Sequence, residues 1–305
     1  MSKLKTVEQA QFIERNHCIN CNSEKLAELS AGHYTDKPLV DFLSADPWGE
    51  DPLPYLQTAT WSLVRCNECT QIYHRRILNE EWNERRFSQW MSAEAIQKFE
   101  SRRDHTFSRK FEVGLGYVEH ALRIEQLTRH VRGDSSVRLL DFGCGFGHFL
   151  QSCSLFGFTA VGVDRSIGRR SAAAVEIMPS LGEVSGTFHA ITLFEVLEHL
   201  DHPRQMLEAL FPYLAPGGIL VLETPDCTGA TSIETEHEYR VLHPLEHINC
   251  FTHQTLKSIA KRAGYDWIDR PPVVASSEWN RIAKRTAKHL LRRDGRSTQL
   301  YFKKH

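Results

Sequence analysis

The stretch 139-LLDFGCGFGHFL-150 decides the fold of this 305-residue chain. An apolar run leads to Asp141, and three glycines follow at every second position: Gly143, Gly145 and Gly147. Glycine-rich turns between a strand and a helix let the backbone approach a nucleotide closely. The stretch therefore predicts a strand, a tight turn and a helix that together hold a nucleotide-containing ligand.

The spacing of the glycines decides which nucleotide is expected. A dinucleotide fingerprint would need a third glycine where His148 stands, and no G-K-[ST] sequence opens the helix as in a phosphate-binding loop. The carboxylate of Asp141 would repel a pyrophosphate, but it would attract a cationic amino-acid group. S-adenosylmethionine carries an ammonium and a sulfonium and no phosphate, so this turn predicts S-adenosylmethionine as the cofactor.

The next strand supports the same ligand. The segment 161-VGVD-164 ends in Asp164, which is placed to accept hydrogen bonds from both ribose hydroxyls of an adenosine. Enzymes that use NAD also carry an acid there, so the discriminating feature is the combination of Asp164 with Asp141. The predicted cofactor-binding residues are Asp141, Gly143, Cys144, Gly145, Gly147, Asp164, Arg165, Phe194 and Glu195.

From Val137 onward, short apolar runs alternate with helical segments, which predicts βαβ units on a parallel sheet. We expect three parts: an N-terminal helix and zinc-binding module over residues 1–78, a helical bridge or lid over 79–133, and a catalytic domain over 134–305. Helical spacing of apolar residues predicts the N-terminal helix over residues 1–16. A basic helix is expected over about 278–293, where a solvated amphipathic face is favoured over a site for an anionic substrate.

Two C-x-x-C pairs mark the N-terminal part of the chain: Cys18 with Cys21, and Cys66 with Cys69. Four thiolates on two tight turns are the ligand set of structural zinc, and the alternative of four free thiols would leave a small module with little core. We therefore predict a closed zinc site without a catalytic role. The module could also carry a homodimer or partner-protein contact.

The second half resembles class I S-adenosylmethionine-dependent methyltransferases, through "LLDFGCGFGHFL", "GVDRS", "FHAITLFEVLEHLDHP", "LAPGGILVLETP" and "PLEHINCFTHQTLKSIAKRAGY". The resemblance implies a Rossmann-like seven-stranded α/β sheet, here preceded by a small zinc-ribbon-like module and a helical segment. The matching subgroup includes ubiquinone-type O-methyltransferases and sugar methyltransferases. The front module resembles the zinc-binding domain that precedes some sugar C-methyltransferases, although Thr70 replaces the glycine usual after the second C-x-x-C.

Candidate catalytic residues lie in the loop before the helix that starts at "FTHQ". In sugar C-methyltransferases a Glu-His pair precedes that helix, and the resemblance makes His247 the candidate base, with Glu246 and His243 beside it. The alternative is that His247 only fixes the loop. Glu198 and His199 follow the third long strand, where capping and packing are favoured over chemistry.

The sequence thus predicts a methyltransferase for a small molecule, with O- or C-methylation of a sugar, nucleotide-sugar or glycan as the leading reaction. The first alternative is an O-methyltransferase of a phenol or quinone-type metabolite. The second is a non-catalytic adaptor that binds a partner through the zinc module, which is possible because His189 stands where the family usually has Asp. A net charge of -1 argues against nucleic acid. No apolar run is long enough for a membrane span, and no signal peptide is visible, so a cytoplasmic location is expected.

Overall fold

The computed structural model describes residues 7–103, 106–273, 283 and 297–304. The N-terminal part contains β1 (Phe12–Glu14), β2 (Leu26–His33), α1 (Leu39–Ala45), β3 (Thr60–Cys66), β4 (Ile72–His74) and β5 (Arg76–Leu78). The bridge contains α2 (Glu80–Arg85), a π-helical turn (Arg86–Trp90), α3 (Ala93–Arg103) and α4 (Phe107–Arg132). Asn79 begins α2, because its side chain accepts a hydrogen bond from the backbone N–H of Trp82.

The second half alternates strands and helices as the sequence predicts. Its elements are β6 (Arg138–Phe142), α5 (His148–Leu155), β7 (Thr159–Val163), α6 (Ile167–Ala172), β8 (Ile177–Met178), β9 (Phe188–Phe194), α7 (Pro203–Leu210), β10 (Leu214–Pro225), α8 (Glu236–Leu242), β11 (Asn249–Cys250), α9 (His253–Arg262), β12 (Tyr265–Ile268) and β13 (Ser297–Lys304). A 3-10 turn over Leu197–His199 follows β9.

Seven of these strands form one sheet in the order β12-β13-β10-β9-β6-β7-β8, which confirms the predicted Rossmann-like α/β fold. Strands β6 to β10 run parallel, and β13 is antiparallel to both β10 and β12. The strand order reverses beside β6, so the carboxyl ends of β6 and β9 border the crevice where ligands bind in open α/β sheets. Both sheet faces are covered: Leu140 and Ile191 lie in one buried cluster, and Leu139 and Ala190 lie in another.

A second sheet joins the two halves of the chain. Its order is β11-β4-β3-β2, so β11, from the loop that follows β10, is an edge strand of the N-terminal module. A shared core contains Leu43 and Trp61 of the module, Trp90 of the bridge, and Tyr239 and Leu242 of α8. The long loop of the second half therefore folds against the N-terminal module rather than over the large sheet alone.

The structure corrects the expectation about the N-terminus and defines the buried face of the bridge helix. Within the described residues, the predicted N-terminal helix is replaced by β1, which pairs antiparallel with β5, and Phe12 of β1 packs against Tyr34. In α4 the buried face runs through Ala121, Ile124 and Thr128. The predicted basic helix over 278–293 lies outside the described residues, apart from Ala283. In the described part of the chain, no helix has the length and apolarity to span a bilayer.

Candidate functional site

The glycine turn after β6 adopts a backbone conformation that side chains rarely allow. Gly143, Gly145 and Gly147 have φ angles of 75°, 58° and 74°. A Cβ atom at Gly143 would lie 2.5 Å from Val196 Cγ2, whereas a Cβ at Gly145 would meet nothing within 4 Å. Gly143 therefore permits close packing against the turn after β9, and Gly145 faces open space at the carboxyl edge of the sheet.

Asp164 is fixed beside this turn. Its Oδ2 accepts a hydrogen bond from the Gly145 N–H at 2.9 Å, and its Oδ1 accepts one from the Ser166 N–H at 2.8 Å. The side chain is buried, and each oxygen retains further acceptor capacity. A carboxylate held in this way is preorganised to accept hydrogen bonds from a pair of neighbouring hydroxyls.

Asp141 is a buried acid without a basic partner among the described residues. It is 3% exposed, and its Oδ1 accepts a hydrogen bond from Thr192 Oγ1 at 2.6 Å. Burial, with a smaller contribution from the nearby Asp164, raises the pKa of Asp141 to about 7, while the Thr192 hydrogen bond opposes the shift. A cationic ligand group beside Asp141 would favour its ionised form.

The remaining predicted cofactor residues surround the same edge. Cys144 lies in the turn and is half-buried, and the Phe194 ring packs on Phe149 with centroids 5.2 Å apart. Glu195 has a φ of 54°, a left-handed conformation that is uncommon for residues other than glycine and is typical of functional sites. Arg165 forms a salt bridge with Glu84 of α2, so the bridge contacts the loop after β7.

His189 lies at the opposite end of the sheet from the glycine turn. Its Nδ1 accepts a hydrogen bond from the backbone N–H of Arg138, the first residue of β6, at 3.0 Å. Asp141 and Gly143 follow at the carboxyl end of that strand. His189 stands where the family usually has Asp, and its side chain therefore does not contact the candidate cofactor site.

Three side chains converge beside the cofactor edge: Glu198, His199 and His247. Their ligand-type atoms all lie within 4.8 Å of one another. His199 Nδ1 donates to the backbone carbonyl of Glu246 at 2.7 Å, which leaves its Nε2 with a free lone pair. Both carboxyl oxygens of Glu198 and the Nδ1 of His247 are buried without partners among the described residues. The cluster can hold a proton or a cation.

Burial controls the charge of this cluster. Together with a smaller contribution from His243, it lowers the pKa of His247 to about 3. Burial also lowers the pKa of His199 well below its ordinary value, and raises the pKa of Glu198 well above its own. The two imidazoles are therefore neutral at physiological pH, and neutral imidazole is the form that can accept a proton.

His243 is brought close to His247, but its ring nitrogens are occupied. Its Nδ1 accepts a hydrogen bond from the Leu245 N–H at 3.2 Å, and its Nε2 lies 3.1 Å from Asp46 Oδ2 and 2.8 Å from the Tyr239 hydroxyl. Tyr239 also donates to Asp46. Because both nitrogens have partners within the protein, His243 is arranged to support the site rather than to take a proton from a ligand.

Glu246 stands between these groups. One of its carboxylate oxygens lies 3.9 Å from His243 Nε2, and its backbone carbonyl accepts from His199. The structure thus brings together all three predicted catalytic residues. It adds Asp46 and Tyr239. It also adds Glu198 and His199, which were expected mainly to cap and pack.

The four cysteines converge as predicted. Cys18 Sγ and Cys69 Sγ lie 3.5 Å apart, Cys21 Sγ and Cys66 Sγ lie 3.5 Å apart, and all four sulfurs lie within 4.8 Å of one another. Zinc–sulfur bonds of about 2.3 Å in a tetrahedron place the sulfurs about 3.8 Å apart, so this arrangement fits a zinc site with four cysteine ligands.

The turns that carry the cysteines are also alike. The residues that follow them, Asn22 and Thr70, have φ angles of 64° and 62°. The backbone N–H of Asn22 donates to the Cys18 carbonyl, and that of Thr70 donates to the Cys66 carbonyl. Thr70 therefore keeps the left-handed conformation that glycine would adopt more readily.

Comparison with known families gives a direct match for the second half of the chain. The family described as "Methyltransferase domain" matches residues 115–269, about half of the chain. The matched segment contains the glycine turn, Asp164 and the cluster of Glu198, His199 and His247.

Curated relatives share parts of this segment. A ubiquinone biosynthesis O-methyltransferase of Caulobacter sp. (strain K31) is 33% identical over 105 residues, which cover 29% of this chain and 40% of the relative. A mitochondrial ubiquinone biosynthesis O-methyltransferase of Schizosaccharomyces pombe is 31% identical over 127 residues, or 35% of this chain and 46% of the relative. The chain spans about half the length of the curated relatives it matches.

Solved structures with a similar fold include the plantazolicin methyltransferase BpumL in complex with SAH. It is 15% identical, has a TM-score of 0.49, and covers 73% of this chain and 93% of its own. An S-adenosylmethionine-dependent methyltransferase from Mesorhizobium loti is 15% identical, with a TM-score of 0.42 over 59% of this chain and 96% of its own.

Replacing Thr70 by glycine should stabilise the N-terminal module. A φ of 62° is sterically unfavourable for a β-branched residue but not for glycine. Because Thr70 is exposed, the substitution removes little packing. We expect the free energy of unfolding to rise by about 1 kcal/mol, measured by denaturant unfolding. Thr228→Gly, at an exposed residue outside the positive-φ set, is the control. A loss of stability in Thr70→Gly would contradict the interpretation.

The raised pKa of Asp141 should make binding of the expected ligand pH-dependent. An ammonium group binds the ionised carboxylate, so a proton on Asp141 competes with it below pH 7. We expect the affinity for S-adenosylhomocysteine to fall by up to about tenfold per pH unit below pH 7 and to be level above it. Calorimetric titration from pH 5.5 to 8.5 measures this. Asp141→Asn should bind weakly at every pH, and a flat wild-type profile would contradict the role.

Proposed function

We propose that this chain, which belongs to the methyltransferase domain family, transfers a methyl group from S-adenosylmethionine to a hydroxyl of a small-molecule acceptor. The observation that carries the proposal is the pair Asp141 and Asp164, which flank the open turn at Gly145 where the strand order reverses. An acid for a cationic group and an acid for a ribose are the two contacts that distinguish this cofactor from a dinucleotide.

The residues present fit the cofactor. Asp164 would hold the ribose hydroxyls, Asp141 would attract the ammonium, and the space at Gly145 has no side chain to fill it. Cys144, Arg165, Phe194 and Glu195 complete the proposed cofactor site. When bound, S-adenosylmethionine would supply an electrophilic methyl carbon. The chain's own task is to hold the acceptor hydroxyl in line with that carbon and to remove its proton.

His247 is the proposed base. Its Nδ1 is fully enclosed and has no hydrogen-bond partner among the described residues. Burial keeps the imidazole neutral, so a ring nitrogen can accept the proton of an acceptor hydroxyl with little competition from solvent. His243, held by Asp46 and Tyr239, fixes the loop on which His247 and Glu246 lie.

The acceptor class is proposed from the relatives' names together with the site. These relatives are named as ubiquinone biosynthesis O-methyltransferases, which favours a phenol or quinone-type hydroxyl. The sugar, nucleotide-sugar or glycan acceptor expected from the sequence is supported by the resemblance of the front module and of the Glu246-His247 pair to sugar methyltransferases. A phenolic hydroxyl also suits a weakly basic imidazole, because it loses its proton more readily than a sugar hydroxyl.

The front module is proposed to bind one structural zinc through Cys18, Cys21, Cys66 and Cys69. Four sulfur ligands leave no open coordination position, so this metal would stabilise the fold and take no part in methyl transfer.

The adaptor alternative is less well supported by the structure. An adaptor would not require the buried, strained and unpaired groups found here: Asp141 without a basic partner among the described residues, Glu195 with a positive φ, and Glu198 with two unpaired oxygens. Such groups reduce stability, and they are expected where a ligand or a reaction uses them.

The test separates binding from transfer. The purified chain is titrated with S-adenosylhomocysteine, and S-adenosylmethionine turnover is then measured with catechols, hydroquinones and nucleotide-sugars. Asp164→Asn should lose binding. His247→Asn should retain binding but lose turnover by about 100-fold or more, the usual contribution of a general base. Absence of binding by the folded wild type would support the adaptor instead, and unchanged turnover in His247→Asn would exclude His247 as the base.

A further inference from the structure

Arg86, the first residue of the π-helical turn in the bridge, is a buried cation without a directly bound counter-ion. Arg86 is 3% exposed, and its Nε donates a hydrogen bond to Asn83 Oδ1 at 3.0 Å. Among the described residues it forms no salt bridge, and Nη1 and Nη2 have no hydrogen-bond partner. Both nitrogens are unpaired but not fully enclosed, so each is in contact with solvent-accessible space.

Arg15 shows what a satisfied buried arginine looks like in the same chain. It donates to the carbonyls of His74 and Ile248 and to Asn249 Oδ1, at distances from 2.6 to 3.1 Å. A buried charge without such partners is costly, because the desolvation of the ion is not repaid. Arg86 bears much of this cost, which the nearby charges of Glu246 and Asp201 reduce without a direct contact.

The position of Arg86 points to the acceptor side of the site. The Phe87 ring contacts two guanidinium groups, with Arg86 Cζ 4.0 Å and Arg165 Cζ 4.5 Å from its centroid. Arg165 directly follows Asp164, the proposed ribose-binding residue. The charge of Arg86 also lowers the pKa of both His199 and His247. Arg86 therefore lies near the loop after β7 and within electrostatic range of the histidine cluster.

We propose that the terminal nitrogens of Arg86 bind an oxyanion, a carboxylate or a phosphate group, that the acceptor carries in addition to its reacting hydroxyl. This rests on the proposed function, because it assigns a substrate class to the same site. A guanidinium presents two parallel N–H donors that match the oxygens of such a group, and burial strengthens the pairing. An anionic acceptor would supply the directly bound counter-charge that the chain itself lacks, so neutral analogues are selected against.

The first test needs no acceptor. Arg86→Met and Arg15→Met are compared by thermal unfolding of the ligand-free chain. Arg86→Met removes a buried charge that has no directly bound counter-ion and keeps much of the side-chain volume, so its Tm should equal or exceed that of wild type by about 2–4 °C. Arg15→Met leaves three oxygens without their donor, so its Tm should fall by more than about 5 °C. A fall of more than about 2 °C in Arg86→Met would overturn the proposal.

The second test uses oxyanion probes on the chain saturated with S-adenosylhomocysteine. Benzoate and inorganic phosphate are titrated by calorimetry, with neutral benzamide as the matched control. We expect wild type to bind at least one anion and not benzamide. Arg86→Met should lose that binding at least tenfold, while Arg75→Met, at a more exposed arginine paired with Glu14, should retain it.

The outcomes distinguish a carboxylate from a phosphate ligand. They also distinguish failure of the Arg86 proposal from failure of the proposed function. Binding of benzoate alone assigns a carboxylate, and binding of phosphate alone assigns a phosphate. No anion binding by wild type, or equal binding by Arg86→Met, would overturn the assignment of Arg86. Failure of S-adenosylhomocysteine to bind wild type would count against the proposed function instead, and the anion titration of the ligand-free chain would then decide the site separately.

Discussion

The buried hydrogen bonds of Arg15 hold the two halves of this molecule in register. The guanidinium donates to His74 and Ile248 carbonyls and to Asn249 Oδ1, and the Asn249 amide donates onward to the carbonyls of Leu197 and Leu200. One side chain from the N-terminal module thus fixes the turn that carries Glu198 and the loop that carries His247. Because each acceptor is buried, any displacement would leave polar groups unpaired, which makes the joint rigid.

The candidate site has two halves. One is built from residues close together in the sequence, and the other is built from segments that the Arg15 hydrogen bonds hold together. The cofactor half is built within one βαβ unit, by Asp141, the glycine turn and Asp164. The acceptor half is assembled from distant segments: Asp46 from the module, Arg86 from the bridge, and the loop from Tyr239 to His247. Variation of the module is therefore expected to affect the acceptor half more than the cofactor half, whereas the bridge also contacts the cofactor half through Glu84 and Arg165.

The same division explains what the sequence could predict. The cofactor half and the cysteine pairs were predictable, because each depends on spacing within a short segment. Asp46 and Arg86 were not, since their roles depend on contacts with residues far away in the chain, and their local sequences resemble an ordinary turn and a charged helix. The N-terminal helix was predicted wrongly because pairing of β1 with β5 outweighed local helical spacing. Buried Glu198 resembled a capping residue until its unpaired oxygens were visible.

The N-terminal module, which is proposed to bind zinc, is expected to support the acceptor half and not the cofactor half. The first cysteine turn contacts the catalytic half directly, since Asn20 donates to Ser258 and accepts from Arg204. The most direct measurement is hydrogen exchange by mass spectrometry before and after zinc chelation, with S-adenosylhomocysteine affinity measured in parallel. We predict faster exchange in residues 197–200 and 240–250 and an unchanged affinity. Unchanged exchange in both segments, or joint loss of the affinity, would contradict this division of the site.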